Sequence, residues 1–307
     1  MKTFQNYLTE NNVSEDLTTV LTTITDAFKD ITVLIRTADT GAAGTKNIYG
    51  EEQLALDVQS DELIQARCKK NPQIGLLASE ELPEEMKISE GAFGVAYDPL
   101  DGSSLVDVNL AVGTIVGVYD LGASEGDTKT FIGKKGDEQV AAIAAVYGPR
   151  TTFTVTLKNV PGVVEFTLHE GGFVVSCEKV EVGEGKMFAP GNLRAVGENP
   201  QYLKLVEYWM NEQYTLRYSG GMVPDVTQIL LKGKGIFSYP PYSKYPSGKL
   251  RLLFECAPLG MLMEKAGGAA SYGGGRILDL ELTELEQRTP IFIGSKEEVE
   301  RCVSMLG

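Results

Sequence analysis

Between residues 14 and 37 apolar side chains recur at helical spacing, at Leu17, Val20, Leu21, Ile24, Phe28, Ile31 and Leu34. Ser14-Glu15-Asp16 precedes them with a capping hydroxyl and acids for the first turn, so the spacing predicts an amphipathic helix. A second helix is predicted over 54–68, carrying Asp57 early and Leu56, Leu63 and Ile64 along it. The pattern then shortens to apolar or alternating runs at 74–78, 94–97, 112–119, 140–147, 151–157, 162–168 and 172–176, which read as strands. Those beyond residue 110 are joined by brief Gly or Pro turns and so predict antiparallel hairpins.

Near Val182-Gly183-Glu184-Gly185 the composition shifts, and a boundary is placed there between residues 1–183 and 184–307. Past it, helices are predicted over 200–214, 223–231 and 259–266, the last stopped by Gly267-Gly268, with a strand, turn and terminal helix over 291–299. Segment 37–50, with Gly41-Ala42-Ala43-Gly44 at its centre, reads as a mobile loop. Segment 239–249, rich in aromatic and basic residues, fits a proline-stiffened surface loop about as well as a ligand lid. Helix and strand in alternation imply an α/β fold of layered helices and sheets, in two halves with the site between them.

Composition and charge narrow the partners. A chain of 307 residues with 43% hydrophobic content can bury a substantial core. Its net charge of -14 repels a nucleic-acid backbone on average, which argues against nucleic acid. An anionic metabolite is repelled too, so a phosphate-bearing ligand requires local cations. The cysteines Cys68, Cys177, Cys256 and Cys302 form no C-x-x-C pair and read as free thiols in a reducing compartment. No apolar run approaches the roughly 20 residues of a membrane span. Residues 1–12 lack a secretory or transit pattern, so no membrane partner and a cytoplasmic location are expected. The single histidine, His169, falls in a hairpin turn and receives no role.

Candidate chemistry lies where three apolar runs end in acids. Residues 74–78 lead into Ser79-Glu80-Glu81, 93–97 into Asp98-Pro99-Leu100-Asp101-Gly102-Ser103-Ser104, and 250–254 into Glu255. Singly, each has a plain reading as a solvated pair or a surface turn, since Asp, Pro, Gly and Ser favour turns for local reasons. Jointly, like charges of this kind are best explained by a cation at their centre. Carboxylate oxygens suit Mg²⁺, and Gly-Ser-Ser amides at a turn suit a phosphate oxyanion.

With Gly50-Glu51-Glu52-Gln53-Leu54-Ala55-Leu56-Asp57, Gly113-Thr114-Ile115, Arg217-Tyr218-Ser219-Gly220-Gly221-Met222 and Lys249-Leu250-Arg251-Leu252-Leu253-Phe254-Glu255, these segments carry a resemblance that spans nearly the whole chain. The sequence resembles the fructose-1,6-bisphosphatase and sedoheptulose-1,7-bisphosphatase family, within the Mg²⁺-dependent, lithium-sensitive sugar phosphatases. The resemblance implies an α-β-α-β-α layered fold, a metal-site half over 1–183 and a sugar-phosphate half over 184–307. It implies Glu80, Asp98, Asp101, Glu255 and the Leu100 carbonyl as ligands for about two or three Mg²⁺ per site, with Mn²⁺ able to substitute. Asp57 and Glu81 would orient and deprotonate water, with Glu51 assisting from the 37–50 loop as it closes over the metals. Gly102, Ser103 and Ser104 would hold the scissile phosphate. Asn192, Arg217, Tyr218, Tyr239 and Lys249 would hold a second phosphate, with Met222 beside the sugar. Arg217 is implied to reach across a subunit interface, hence a homo-oligomer, dimer or tetramer.

Gly220-Gly221-Met222-Val223-Pro224-Asp225 and Ala189-Pro190-Gly191-Asn192-Leu193-Arg194-Ala195 look like sedoheptulose-1,7-bisphosphatase, whereas fructose enzymes usually have Gly-Ser-Met-Val-Ala-Asp and Asn-Glu-Gly there. Tyr239-Pro240 is typical of the fructose enzyme. The expected reaction is hydrolysis of the 1-phosphate of sedoheptulose-1,7-bisphosphate, giving sedoheptulose-7-phosphate and phosphate. Fructose-1,6-bisphosphate hydrolysis, or dual activity, is the alternative. Ala92-Phe93 and Asp120 stand where many fructose enzymes bind inhibitory AMP through a Lys-Tyr pair and an Arg, which implies no AMP inhibition. An inositol or nucleotide phosphatase would leave Lys249, Tyr239 and Arg217 without a second phosphate. A catalytically silent sugar-phosphate sensor would have no chemical need for Asp57, Glu80, Glu81, Asp98, Asp101 and Glu255 together.

Overall fold

The computed structural model describes residues 1–37, 55–122 and 129–306, and the backbone alone of 42–46 and 52–54. Helices α1 (Phe4–Glu10) and α2 (Glu15–Thr37) come first, the Ser14 hydroxyl accepting from the Leu17 amide at 3.3 Å to cap α2 as its sequence predicts. Segment 37–50 was expected to be loop, yet within it β1 (Ala42–Lys46) is extended and pairs with β2 (Glu52–Leu54). The rest of that expectation, Glu51 included, lies outside the described residues. Helix α3 (Ala55–Cys68) follows, then β3 (Ile74–Ser79), β4 (Met86–Lys87), β5 (Phe93–Asp101), β6 (Val112–Asp120), β7 (Gln139–Tyr147), β8 (Thr151–Leu157), β9 (Val160–His169) and β10 (Gly172–Cys177). Strands β3 to β10 form one eight-stranded sheet in the order β10-β9-β8-β7-β6-β5-β3-β4. The strands after residue 110 are antiparallel neighbours, as their turns imply.

The second sheet is assembled from β11 (Met187–Pro190), β12 (Thr215–Leu216), β13 (Ile236–Tyr239), β15 (Ala269–Ser271) and β17 (Ile291–Gly294), in the order β12-β11-β13-β17-β15. Between these strands lie α4 (Pro200–Asn211), α5 (Met222–Lys232) and α6 (Ala257–Lys265), and α7 (Lys296–Leu306) ends the chain. A two-stranded ribbon joins β14 (Leu250–Arg251) to β16 (Arg288–Thr289). Two expectations are corrected here, and a third segment departs from a simple strand. Helix α4 stops at Asn211 rather than 214, because Gln213 takes a left-handed φ of 60° and the chain then enters β12. Tyr239 closes a strand and is not loop. The apolar run 250–255 is a strand only at Leu250–Arg251, since Leu252–Cys256 wind into a π-turn that opens α6.

Alternation along β5 shows how the layers stack. Val95 and Tyr97 pack with residues of α1, α2 and α3, while Ala96 packs with residues of α5 and α6 on the other face. In the second sheet Phe237, Ile291 and Ile293 face α5 and α6, and Ile236, Phe292 and Phe188 face α4 and α7. The molecule is therefore layered α-β-α-β-α, with α5 and α6 as the apolar filling between sheets. Among the described residues no helix is long and apolar enough to cross a membrane. All four cysteines are free, Cys68, Cys256 and Cys302 buried and Cys177 half-buried.

Candidate active site

Within the eight-stranded sheet β3 and β5 run parallel, with Ser79 opposite Tyr97. Their C-terminal ends therefore lie side by side, and the Glu80 amide donates to the Tyr97 carbonyl at 3.1 Å. That pairing sets Glu80 and Glu81, which follow β3, beside Asp98 and Asp101 at the end of β5. A regular strand would send residues three apart to opposite faces. Here the register to β6 slips: Asp98 faces Ile115 but Asp101 faces Gly113, three steps on one strand against two on the other. The extra residue is a β-bulge over Pro99-Leu100, and it lets both carboxylates converge. Buried Thr114 fastens it by donating to the Pro99 carbonyl at 2.8 Å, with its hydroxyl 2.8 Å from that of Tyr147.

Glu255 arrives from the other side on the π-turn, and its carboxylate accepts the Arg251 amide at 2.5 Å. One carboxylate oxygen each from Asp98, Asp101 and Glu255 lie within 4.8 Å of one another, and all three residues are buried. Burial, then Glu80, Asp101 and Glu255, pushes Asp98 well above the usual carboxylate range. Burial raises Glu255 to about 8, with Glu80 adding to the effect. Asp101 rises to about 6, again through burial, although the Val223 and Met222 amides oppose the shift. Buried oxygens so close cannot all be ionised without a compensating cation, and hard carboxylate donors fit a divalent ion such as Mg²⁺.

The acids line a cavity of about 230 Å³. Asp57, Glu80, Glu81, Leu100, Gly102, Ser103, Ser104, Tyr218, Met222, Tyr239 and Lys249 also line it. Asp57, buried in the first turn of α3, accepts from the Ser103 hydroxyl at 3.1 Å. Gly102 is left-handed, φ 76°, and turns the chain from β5 into a 3-10 turn over Ser103–Val108. Two expected residues lie elsewhere. Asn192 is buried outside the cavity wall, its Nδ2 donating to the Pro240 carbonyl at 3.3 Å. Arg217 is exposed beyond β12, its Nη1 3.4 Å from the Leu216 carbonyl. Glu51 lies outside the described residues.

Residues 3–178 match the fructose-1-6-bisphosphatase N-terminal domain family, and residues 182–307 match its C-terminal domain. The chain belongs to the fructose-1,6-bisphosphatase family. It is 46% identical over 301 residues to sedoheptulose-1,7-bisphosphatase, chloroplastic, of Triticum aestivum, covering 97% of this chain and 75% of that one. It is also 46% identical over 310 residues to fructose-1,6-bisphosphatase class 1 of Trichlorobacter lovleyi, covering 99% and 94%. Among solved structures, Leishmania major fructose-1,6-bisphosphatase in holo form superposes with a TM-score of 0.93 at 33% identity, covering 99% of this chain and 98% of that one. As a member of this metal-dependent family the chain is a sugar bisphosphatase, a phosphoric monoester hydrolase.

In this family member, Arg251 and Arg288 also line the cavity, and the reading from sequence assigned neither a role. Arg251 is 3% exposed, and its guanidinium pairs with Glu80 and, at 2.9 Å, with Glu286. A signal was available, because a charged residue inside Leu250-Arg251-Leu252-Leu253-Phe254 must be buried with a partner. Arg288, in the polar stretch before β17, carries no comparable mark.

Proposed function

We propose that this sugar bisphosphatase removes the 1-phosphate of sedoheptulose-1,7-bisphosphate, using Mg²⁺, and that fructose-1,6-bisphosphate is the alternative or second substrate. The observation that carries the reading is the meeting of Asp98, Asp101 and Glu255 oxygens within 4.8 Å in a cavity that Lys249, Tyr218 and Tyr239 also line. Acids together with a cation and phenol hydroxyls around one cavity suit a substrate with two phosphates.

Glu80, Asp98, Asp101, Glu255 and the Leu100 carbonyl are the proposed ligands for about two or three Mg²⁺, Mn²⁺ being able to substitute. Divalent ions there neutralise phosphoryl charge and make water a better nucleophile. Asp57 and Glu81 orient the attacking water and take its proton, with Glu51 assisting. Gly102, Ser103 and Ser104 donate to the scissile phosphate. Tyr218, Tyr239 and Lys249 hold the far phosphate, Met222 packs on the sugar, and Asn192 supports them from behind through Pro240. Arg217, exposed on its own chain, serves the cavity of a partner subunit, which makes the enzyme a dimer or tetramer. Residues 1–183 form the metal-site half, and 184–307 the sugar-phosphate half.

The preference for seven carbons is supported at Gly221, which lines the cavity. A Cβ there would lie 3.1 Å from Pro224 Cγ and 3.3 Å from Leu105 Cδ1. A side chain at 221 would therefore press on Pro224 and Leu105 by a few tenths of an ångström, and glycine leaves the cavity wall bare for a longer sugar. Phosphate release from both bisphosphates, with Mg²⁺ and with chelator, tests the reading. Mg²⁺-dependent release with the higher kcat/KM for the seven-carbon sugar is expected. Release from neither sugar would overturn it, and a higher value for the six-carbon sugar would reverse the order of substrates.

A further inference from the structure

Lys249 lies at the end of a strap, residues 240–249, that runs from β13 to β14 beside the cavity. The near end of the strap is held from the α4 side. Asn192 donates to the Pro240 carbonyl at 3.3 Å, and the Ser243 amide and hydroxyl both donate to the Glu198 carboxylate, at 2.6 and 2.7 Å. In its middle Tyr242 and Tyr245 exchange backbone hydrogen bonds, with their rings packed edge to face at 5.7 Å. At the far end the Gly248 amide donates to the Tyr245 carbonyl at 3.1 Å and Leu250 pairs with Thr289, and a cationic side chain adds a further hold. Arg288, on β16, donates Nη1 to the Lys249 carbonyl at 2.5 Å and lays its guanidinium over the Tyr245 ring, 5.7 Å from the centroid.

Its placement follows from the ribbon. Arg251 and Arg288 are cross-strand partners, an arrangement in which like charges repel. Glu286 lies between them, 2.9 Å from Arg251 Nε and 3.9 Å from Arg288 Nη2, and relieves that repulsion. Arg251 is then committed to the acids of the metal end through Glu80, while Arg288 is directed to the strap. One ribbon thereby serves both the acids and the strap.

We propose that Arg288 is a positioning residue that fixes Lys249 for the far phosphate, an inference that rests on the bisphosphatase reading. A lysine ammonium on a four-carbon stem loses rotamer freedom when it engages an anion, so anchoring its backbone lowers the remaining cost of ordering. The far phosphate is not transferred and its charge does not change in the reaction, so the anchor contributes equally to ground and transition states and acts on KM rather than kcat. A guanidinium is required, because donation to the carbonyl and stacking on the ring both use its planar fork.

The test is steady-state kinetics of Arg288→Met and Arg288→Lys on the sugar bisphosphate that the parent enzyme hydrolyses, beside p-nitrophenyl phosphate, which has no far phosphate. Loss of a charge-assisted hydrogen bond and a stack is expected to raise KM for the bisphosphate by roughly tenfold or more in both variants. The kcat should stay within about twofold, and p-nitrophenyl phosphate kinetics should not change. An unchanged KM would overturn the proposal. So would recovery of KM by lysine, which would mean that charge rather than placement matters, or parallel losses on both substrates. If Arg288→Met fails to fold, Arg288→Lys carries the test. A parent that hydrolyses p-nitrophenyl phosphate but no sugar bisphosphate would instead overturn the underlying reading, before any substitution is made.

Discussion

The Val223 amide donates to the Asp101 carboxylate at 2.7 Å, joining residues 122 positions apart. Val223 stands in the first turn of α5, so Asp101 meets the positive end of a helix and a backbone donor together. Helix α5 is thereby keyed to the bulge that presents the acids. Gly113, opposite Asp101 on β6, permits the approach, because a Cβ there would lie 2.4 Å from the Ala145 carbonyl oxygen and 2.5 Å from Val223 Cγ1.

Gly113→Ala is accordingly expected to push α5 away from Asp101. Overpacking of this kind costs about 1–3 kcal/mol of stability. The specific outcome is a weaker apparent Mg²⁺ affinity, read from the Mg²⁺ dependence of phosphate release. A variant with lowered stability and unaltered Mg²⁺ dependence would separate Gly113 from the site.

The acid cluster should make the chelated protein sensitive to pH in a definite direction. Burial raises the folded-state pKa of Asp98, of Asp101 to about 6 and of Glu255 to about 8. Between the ordinary carboxylate value and these values the folded chain binds more protons than the unfolded one, so stability falls as pH rises through that window. Thermal melting in chelator should occur at higher temperature at pH 6 than at pH 8.5, and Mg²⁺ should close the gap at pH 8.5. Glu255→Gln should stabilise the chelated protein at pH 8.5 while lowering turnover by roughly 10²–10³. A melting temperature indifferent to pH and Mg²⁺ would speak against buried mutual repulsion.

Much of this arrangement could be read from the residues. The apolar runs on β3, β5, β6, β7 and β8 announced strands, and the paired acids after β3 and β5 announced a cation site, because local pattern and burial agree there. What could not be read depends on contacts distant in sequence. The bulge at Pro99-Leu100 is set by pairing with β6 and by Thr114, not by the Asp-Pro-Leu-Asp string. The π-turn carrying Glu255 arises because buried Arg251 must meet Glu80 and Glu286, which overrides a run that looks like a strand. Arg288 left no trace, since its partners are a backbone carbonyl and a ring on another segment.

Gly221 and Pro224 should act as a pair in selecting the sugar. Gly221→Ser alone is expected to lower activity on both bisphosphates, because the new Cβ meets the proline ring at 3.1 Å. Adding Pro224→Ala should recover activity and shift the ratio of kcat/KM toward fructose-1,6-bisphosphate. Equal activity of the single and double variants would show that the two positions are independent.

AMP should not inhibit. Phe93 and Asp120 face each other across β5 and β6, and the Asp120 carboxylate accepts the Gly122 amide at 3.0 Å. An acid at this point repels a nucleotide phosphate. Inhibition at micromolar AMP in a phosphate-release assay would contradict this.

The most direct measurement is a Mn²⁺ titration of the chelator-stripped protein followed by electron paramagnetic resonance, with Asp98→Asn alongside. Saturable binding of about two or three ions per chain, displaced by Mg²⁺ and reduced by at least one ion in Asp98→Asn, is the predicted result. Mn²⁺ that stays free in solution, or binding that Asp98→Asn leaves intact, would contradict the claim that these buried acids hold the catalytic metals.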